Sequence, residues 1–462
     1  MLVKKQKKFS FIFHFEKDVK SGLTYNRNLY KGGILMEDKN KTQSWYSLAF
    51  IWGGSMVCVP SLLIGSTLVS GMSLGKSLLV GLIGYAITVV IMILQGTQSV
   101  DLHKPTVQIA KQVFGEIGSQ RIISIILAIA CLGWFGIQTN VAGSAFANLL
   151  GLYGIRISVP VSSIVWGMIM LVTAIYGIRL IRLINYIAVP YLVIVCLYGL
   201  FEALSGQSNH LLQTYQPTAQ LSFFDGLAVT IGSFALGAVI AGDYSQYSEK
   251  RSDVVKAASV GIIPAGILMI AVGAILAIVN RTSDISSVFM NIGSPLIGGI
   301  ALILATWKTN VINAFSGGLA IINVFGISKE KEKIAVAIAG GVGTLLAVAG
   351  ILNYFVPIMS ILSAMVPAVA GVMIASYWVV QKGDPAKWSP VSGINWVGII
   401  SWLIGAVIAV IPVLLGFFPS VIQLPNQPLI GIILSFFCYL IGNKLFEKQL
   451  TKHTVSTKEM EE

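Results

Sequence analysis

Twelve stretches of this chain are apolar, nearly free of charge, and close to the roughly 20 residues that a helix needs to cross a bilayer. They run approximately over 48–70, 77–95, 122–150, 157–176, 183–204, 224–242, 257–279, 296–325, 334–351, 354–380, 394–417 and 429–446. Few folds are open to such a sequence, because inside hydrocarbon every backbone polar group must be satisfied within the protein. Only 11% of the residues are charged, whereas soluble domains carry roughly 25%. The sequence reads as an all-α integral membrane protein with 12 transmembrane helices.

The formal net charge of +12 would suit a nucleic-acid partner if it gathered on one surface. Instead the basic residues gather in the N-terminal tail and in alternate loops. With the N-terminus inside, 27 Lys and Arg fall on cytoplasmic segments, and Lys76, Arg156 and Arg281 alone fall in outer loops. That asymmetry puts both termini in the cytoplasm and accounts for the charge without nucleic acid. Cys58, Cys131, Cys196 and Cys438 all lie in apolar stretches without metal-ligand spacing and read as packing residues. No histidine falls in a span, which argues against a histidine proton relay or a metal site. Residues 1–43 form a polar, lysine-rich tail without the apolar core of a signal peptide. Lys31-Gly32-Gly33 can be encoded as a ribosome-binding sequence just before Met36, so translation is expected to begin at Met36.

Two spans read as broken. In the first, FIWGGSMVCVP sets Gly53 and Gly54 ahead of Pro60, weakening the helix from both directions. In the sixth, TIGSFALGAVIAGD sets Gly232 and Gly237 around Ser233 and Phe234, with Asp243 at the inner end. The two breaks lie five spans apart, as they would in a transporter built from inverted repeats. The chain then divides into a first five-helix repeat over 44–204 and a second over 205–380. Spans 11 and 12 occupy 381–447, and a C-terminal tail 448–462.

Polar residues inside the spans mark where function is expected. The eighth span contains ATWKTNVINAFSGG over 305–318, with a lysine, a threonine and two asparagines within six positions. A lysine in mid-span is costly and ordinarily faces a cavity or a partner. At 100° per residue, Lys308, Thr309 and Ile312 share one side of the helix, while Asn310 and Asn313 look to a neighbouring helix. In the third span, Trp134 and Gln138 stand one turn apart on one face. A flat aromatic surface beside an amide that both donates and accepts suits a planar heterocycle. The alternative is a packing tryptophan with an interhelical amide bond. Phe234 could supply the second face of an aromatic sandwich. Carbonyls from Gly53 to Val57, including those of Gly54 and Val57, could bind a cation or a substrate edge. Asp243 reads either as a charged partner for the site or as a structural tie to backbone. No nucleotide-binding loop, nucleophile triad or zinc spacing occurs, which argues against an enzyme and against ATP-driven transport.

At these residues a resemblance becomes specific. GWFG at 133–136, GSF at 232–234 followed by GDY at 242–244, and TN at 309–310 occur in order. FSGGLAIINVFGISK at 315–329 and FVPIMSILSAMVPAVAGVMIASY at 355–377 follow. Together, over spans 1–10, they resemble the nucleobase:cation symporter-1 family, the purine/cytosine permeases. The resemblance implies the leucine-transporter (LeuT) fold, two inverted five-helix repeats plus two helices. It implies that Trp134 stacks on the base, that Phe234 covers the other face, and that Ser233 and Asn310 lie near the ring. Gln138 matches the glutamine of hydantoin and purine members, where the cytosine pattern has glycine. Cys131 and Leu236 replace polar residues of the cytosine pattern, and Asn313 falls one place from its second asparagine, so the substrate stays open. In sodium-coupled relatives, two consecutive hydroxyl residues of span 8 meet span-1 carbonyls around the cation. Those positions are Lys308 and Thr309 here, so an ammonium would stand where sodium otherwise binds.

The expected function is a secondary-active importer of cytosine or a purine-like base across the plasma membrane, working by alternating access. Allantoin, a hydantoin or a thiamine-precursor pyrimidine is the alternative substrate, and a ligand sensor that does not transport is the alternative class. The expected partners are a small planar heterocycle and the lipid bilayer, with no obligate protein partner. No cofactor is expected, and a proton gradient is preferred to sodium as the driving force.

Overall fold

The computed structural model describes residues 42–176, 178–205, 209–418, 420, 422 and 424–452. The expectations about Met36 and the N-terminal tail lie outside these residues. The first broken element is α1 (Trp45–Met56) with α2 (Val59–Gly71), followed by α3 (Leu74–Leu102). Two short helices, α4 (Thr106–Ile109) and α5 (Lys111–Phe114), lead to α6 (Glu116–Leu152), α7 (Val159–Tyr176) and α8 (Ile178–Ser205). The chain continues through α9 (Asn209–Thr214), α10 (Phe223–Val239), α11 (Gly242–Ser245), α12 (Arg251–Val279), α13 (Ile285–Met290) and α14 (Pro295–Phe325). It ends with α15 (Glu332–Val348), α16 (Phe355–Ile374), α17 (Trp396–Leu415) and α18 (Ile430–Lys452). A π-helical segment, Ala375–Val380, prolongs α16.

Each of the twelve apolar stretches therefore holds a helix or, for the first, a bent pair. By length and apolarity, eight elements among the described residues can cross a membrane, or nine if α1 and α2 make one passage. Large apolar side chains such as Phe50, Ile194, Phe201 and Leu345 are exposed. In a soluble protein this would be an aggregation-prone surface; here it is the surface that lipid covers.

The first break is present and falls between the glycines and Pro60. α1 and α2 meet at 57° across Val57 and Cys58, whose backbones leave the helical region. Pro60 sits in the first turn of α2, where its missing N–H has no intrahelical partner to lose. Gly53 and Gly54 instead stay within α1. Gly53 serves close packing: a Cβ there would come 3.1 Å from the Gly261 carbonyl oxygen, and one on Gly261 would come 2.6 Å from that of Ala49. The same holds for α2, where Cβ atoms on Gly65 and Gly273 would run into the Ile270 and Leu62 carbonyls. The bent pair thus lies along α12 almost backbone to backbone.

The sixth span corrects the expectation more strongly. α10 is continuous through Gly232 and Gly237 and ends only at Val239, before Ile240 and Ala241. Gly232 admits the Met359 carbonyl of α16, and Gly237 lies under the ring of Phe234. Both glycines make room for neighbours, which leaves no need to unwind the helix.

Contacts sort most of the helices into two groups. α12 packs on α1, α2 and α3, and α10 packs on α3 and on α16. In the second group α14 packs on α6 and α15, and α15 packs on α6 and α7. At one end of α3 the first group is tied to α16. Arg251 donates from Nε to Asp101 Oδ1 at 2.7 Å and from Nη2 to the Gly383 carbonyl at 3.0 Å. Its guanidinium also pairs with Asp101 Oδ2 at 2.7 Å and lies over the Trp378 ring. The Tyr377 hydroxyl donates to Asp101 Oδ2.

Candidate functional site

Asn310, fully buried on α14, is the node of the second group. Its Nδ2 donates to the Phe135 carbonyl and to Thr139 Oγ1, both at 2.9 Å, and approaches Met170 Sδ at 3.3 Å. Its Oδ1 accepts from Asn313 Nδ2 at 3.2 Å and, more weakly, from Gln138 Nε2 at 3.5 Å. Helical spacing anticipates that Asn310 and Asn313 face a neighbouring helix; Asn310 bonds to α6, and Asn313 bonds to Asn310. Every polar atom of the Asn310 side chain is engaged, so its amide holds α14 to α6 and α7. Thr139, which completes this node, was not anticipated. Its place one residue after Gln138 gives no signal for an oxygen aimed at α14.

Gln138 differs from Asn310 in one respect. It too is fully buried, but its Oε1 has no hydrogen-bond partner. A buried carbonyl oxygen without a donor is costly, and such atoms are few in native structures. One turn earlier on the same face, Trp134 is half-buried, with its ring edge-on to Phe355 at 6.1 Å. On the opposite group, Phe234 is half-buried over Gly237, and Ser233 Oγ donates to the Thr230 carbonyl at 2.6 Å. The serine hydrogen is engaged within its own helix, leaving the oxygen lone pairs outward.

Lys308 is half-buried and forms no ion pair or hydrogen bond among the described residues; Cys58 is among its neighbours. Cys58 lies in the α1–α2 bend, with its sulfur 3.5 Å from Ser61 Oγ. Thr309 Oγ1 donates to the Ala305 carbonyl at 3.0 Å. Of the span-1 carbonyls, that of Gly54 accepts from Val57 N at 3.3 Å, so it already has one partner inside the bend. Asp243 does not reach Lys308. Its Oδ1 accepts the backbone N–H of Thr106 at 2.8 Å, joining the end of span 6 to α4. Of the two readings of Asp243, a charged partner for the site or a structural tie to backbone, this bond fits the second.

One residue of this region escaped sequence reasoning. Tyr85 of α3 is fully buried, and its hydroxyl sits among Ser61, Ser233 and Cys58. Its ring fits because the facing residue of α12 is Gly266. The available signal was a phenol inside an apolar stretch, a polar atom that must face something.

The chain matches the family of permeases for cytosine/purines, uracil, thiamine and allantoin over residues 36–427. It is 28% identical over 407 residues to a cytosine permease of Escherichia coli, covering 88% of this chain and 92% of that one. It is 24% identical over 402 residues to a hydantoin permease of Microbacterium maritypicum, covering 79% and 80%. Its fold matches an inward-facing structure of Mhp1 with a TM-score of 0.69 at 21% identity, over 91% of this chain and 96% of that one. A closed structure of Mhp1, a nucleobase-cation-symport-1 transporter with bromovinylhydantoin bound, matches with a TM-score of 0.65 at 19% identity, over 89% and 94%. With its membrane-crossing helices, its two packed groups and a match over most of its length, this chain belongs to the nucleobase:cation symporter-1 family of permeases, a transporter and not an enzyme.

Proposed function

We propose that this permease imports a nucleobase or similar planar heterocycle across the plasma membrane, by alternating access of its two helix groups. The observation that carries the reading is the face formed by Trp134 and Gln138, one aromatic and one with a buried carbonyl lacking a donor. A ring lying on Trp134 with an N–H turned to Gln138 Oε1 would satisfy that oxygen. Phe234 and Ser233 meet the ring from the other group, while Asn310 and Asn313 hold the face in place behind it. Cytosine and purine-like bases fit, as does a hydantoin or allantoin. In this reading the twelve apolar stretches are twelve spans, arranged as two inverted five-helix repeats with two further helices, both termini inside.

Lys308 carries the coupling. It stands beside the bend of span 1 with no ion-pair partner among the described residues, so its ammonium can tie the two groups together as a bound cation would. Release of its proton loosens that tie, which makes protons rather than sodium the driving ion. Thr309 adds an oxygen, and Gly54 and Val57 add backbone carbonyls on the facing helix.

Uptake into liposomes with sodium and proton gradients imposed separately tests the proposal. Uptake driven by an inward proton gradient and lost in Lys308→Ala supports it; strict dependence on sodium refutes the coupling. Trp134→Ala is expected to weaken binding about ten- to a hundredfold, the worth of one stacked base. Binding without accumulation under any gradient would identify a sensor.

A further inference from the structure

A cavity of about 340 Å³ lies away from the candidate site, where the last turns of α2, the α9 connection and the end of α12 converge. Its volume is at the lower end of the range that takes small ligands, about 300–1,000 Å³. Its lining carries one charged side chain, Arg281, and no carboxylate. Arg281 forms no ion pair among the described residues.

The backbone of Arg281 is as telling as its charge. It follows the C-cap of α12 with φ 53°, the left-handed region that a glycine adopts freely and a side chain does not. Arg281 N bonds the Ile278 carbonyl and Thr282 N the Ala277 carbonyl, each at 3.1 Å, so the turn closes the helix in the usual way. Glycine is the residue that such a turn favours, and the arginine that stands there is an exposed residue lining the cavity.

The neutral groups complete the chemistry. Ser66 donates to the Leu63 carbonyl, Ser70 to that of Thr67, Thr214 to that of His210, and Tyr215 to that of Val69, at 3.1, 2.7, 2.9 and 2.6 Å. Their hydrogens are engaged, so they offer oxygen lone pairs to an occupant. A ligand that satisfies this lining needs an anionic group for Arg281 and O–H or N–H donors for the hydroxyl oxygens.

We infer that this cavity is a second binding site, selective for a small oxyanion, a carboxylate or phosphate, that also carries hydroxyl or amide donors. Two sources share that chemistry: a soluble phosphate ester or acid, and the phosphoglycerol headgroup of an anionic lipid. The occupant would join the bent first span and α12 to the connection that follows α8, and so link occupancy to the position of the first helix group. The inference does not depend on which heterocycle is transported.

Full-length protein in detergent is titrated with glycerol 3-phosphate, and in parallel reconstituted into vesicles of phosphatidylcholine with and without phosphatidylglycerol, with thermal stability as the readout. Arg281→Gly relieves the left-handed backbone and removes the charge; Arg281→Gln removes the charge alone. The expected result is stabilisation of the native chain by at least one probe, weakened at least tenfold in both variants, with heterocycle binding unchanged as the control for folding. Response to glycerol 3-phosphate names a soluble ligand, and response to phosphatidylglycerol alone names the lipid. Stabilisation by neither probe, or equal stabilisation of both variants, overturns the inference.

Discussion

Asn310→Ala and Gln138→Leu remove neighbouring amides and are expected to act in opposite ways. The first deletes the bonds from Nδ2 to the Phe135 carbonyl and Thr139 Oγ1, both at 2.9 Å. Interhelical side-chain hydrogen bonds in membrane proteins average about 0.6 kcal/mol, so these two amount to roughly 1.2 kcal/mol. The deletion also leaves Asn313 Nδ2 and Gln138 Nε2 without their acceptor, adding about 1–2 kcal/mol for donors kept from water. Asn310→Ala should therefore cost about 2–3 kcal/mol, a factor on the order of 50 in the unfolding equilibrium. Gln138→Leu keeps the side-chain volume close, loses one bond of 3.5 Å, and removes an oxygen that has no partner. Its unfolding free energy should stay within about 0.5 kcal/mol of the parent or rise, while heterocycle affinity falls. Reversible unfolding in mixed detergent micelles gives the first quantity, and ligand titration gives the second. If Gln138→Leu destabilises the protein as much as Asn310→Ala, the partnerless oxygen is not what the geometry says it is. If Asn310→Ala abolishes binding with stability unchanged, the asparagine faces the ligand and not the helix array.

Tyr85→Phe removes a buried hydroxyl whose neighbours are Ser61 and Ser233 and should change stability by no more than about 1 kcal/mol; a larger drop in melting temperature would mean that the hydroxyl is tightly paired. Gly232→Ala drives a methyl into the Met359 carbonyl and should lower both folded yield and uptake, since backbone cannot step aside as a flexible side chain can. Arg251→Lys leaves one ammonium to serve Asp101 and the Gly383 carbonyl, which the guanidinium now satisfies together. Because Arg251 is 45% exposed, the loss should stay near about 1 kcal/mol and shrink further at high salt.

Much of this molecule was legible from hydropathy and helical period. The twelve apolar stretches fixed where helices form, since a segment of that length and apolarity has few alternatives in lipid. The 3.6-residue period put Trp134 and Gln138 on one face and turned Asn310 and Asn313 to a neighbouring helix. The glycines were ambiguous for a physical reason. A missing side chain weakens a helix and also lets another backbone approach, and which effect wins depends on the neighbour. Gly53 and Gly232 have neighbours, Gly261 and Met359, that lie far along the chain. A tie of Asp243 to backbone was legible, but not which backbone, because the donor is the N–H of Thr106 and any residue but proline would supply it. Tyr85 went unremarked because a single phenol barely changes the hydropathy of its stretch, although its hydroxyl is the feature that matters.

The glycine seam between the bent first span and α12 also bears on how such a chain drifts over evolutionary time. Gly53 faces Gly261, and Gly65 and Gly273 each face a carbonyl across the seam, so an added methyl on either side has no side chain to displace. A single replacement is blocked whichever helix it strikes, and a paired one enlarges both sides and is worse. Among descendants of this sequence these positions should stay frozen even where the substrate changes. Ancestry should be easiest to trace along the seam.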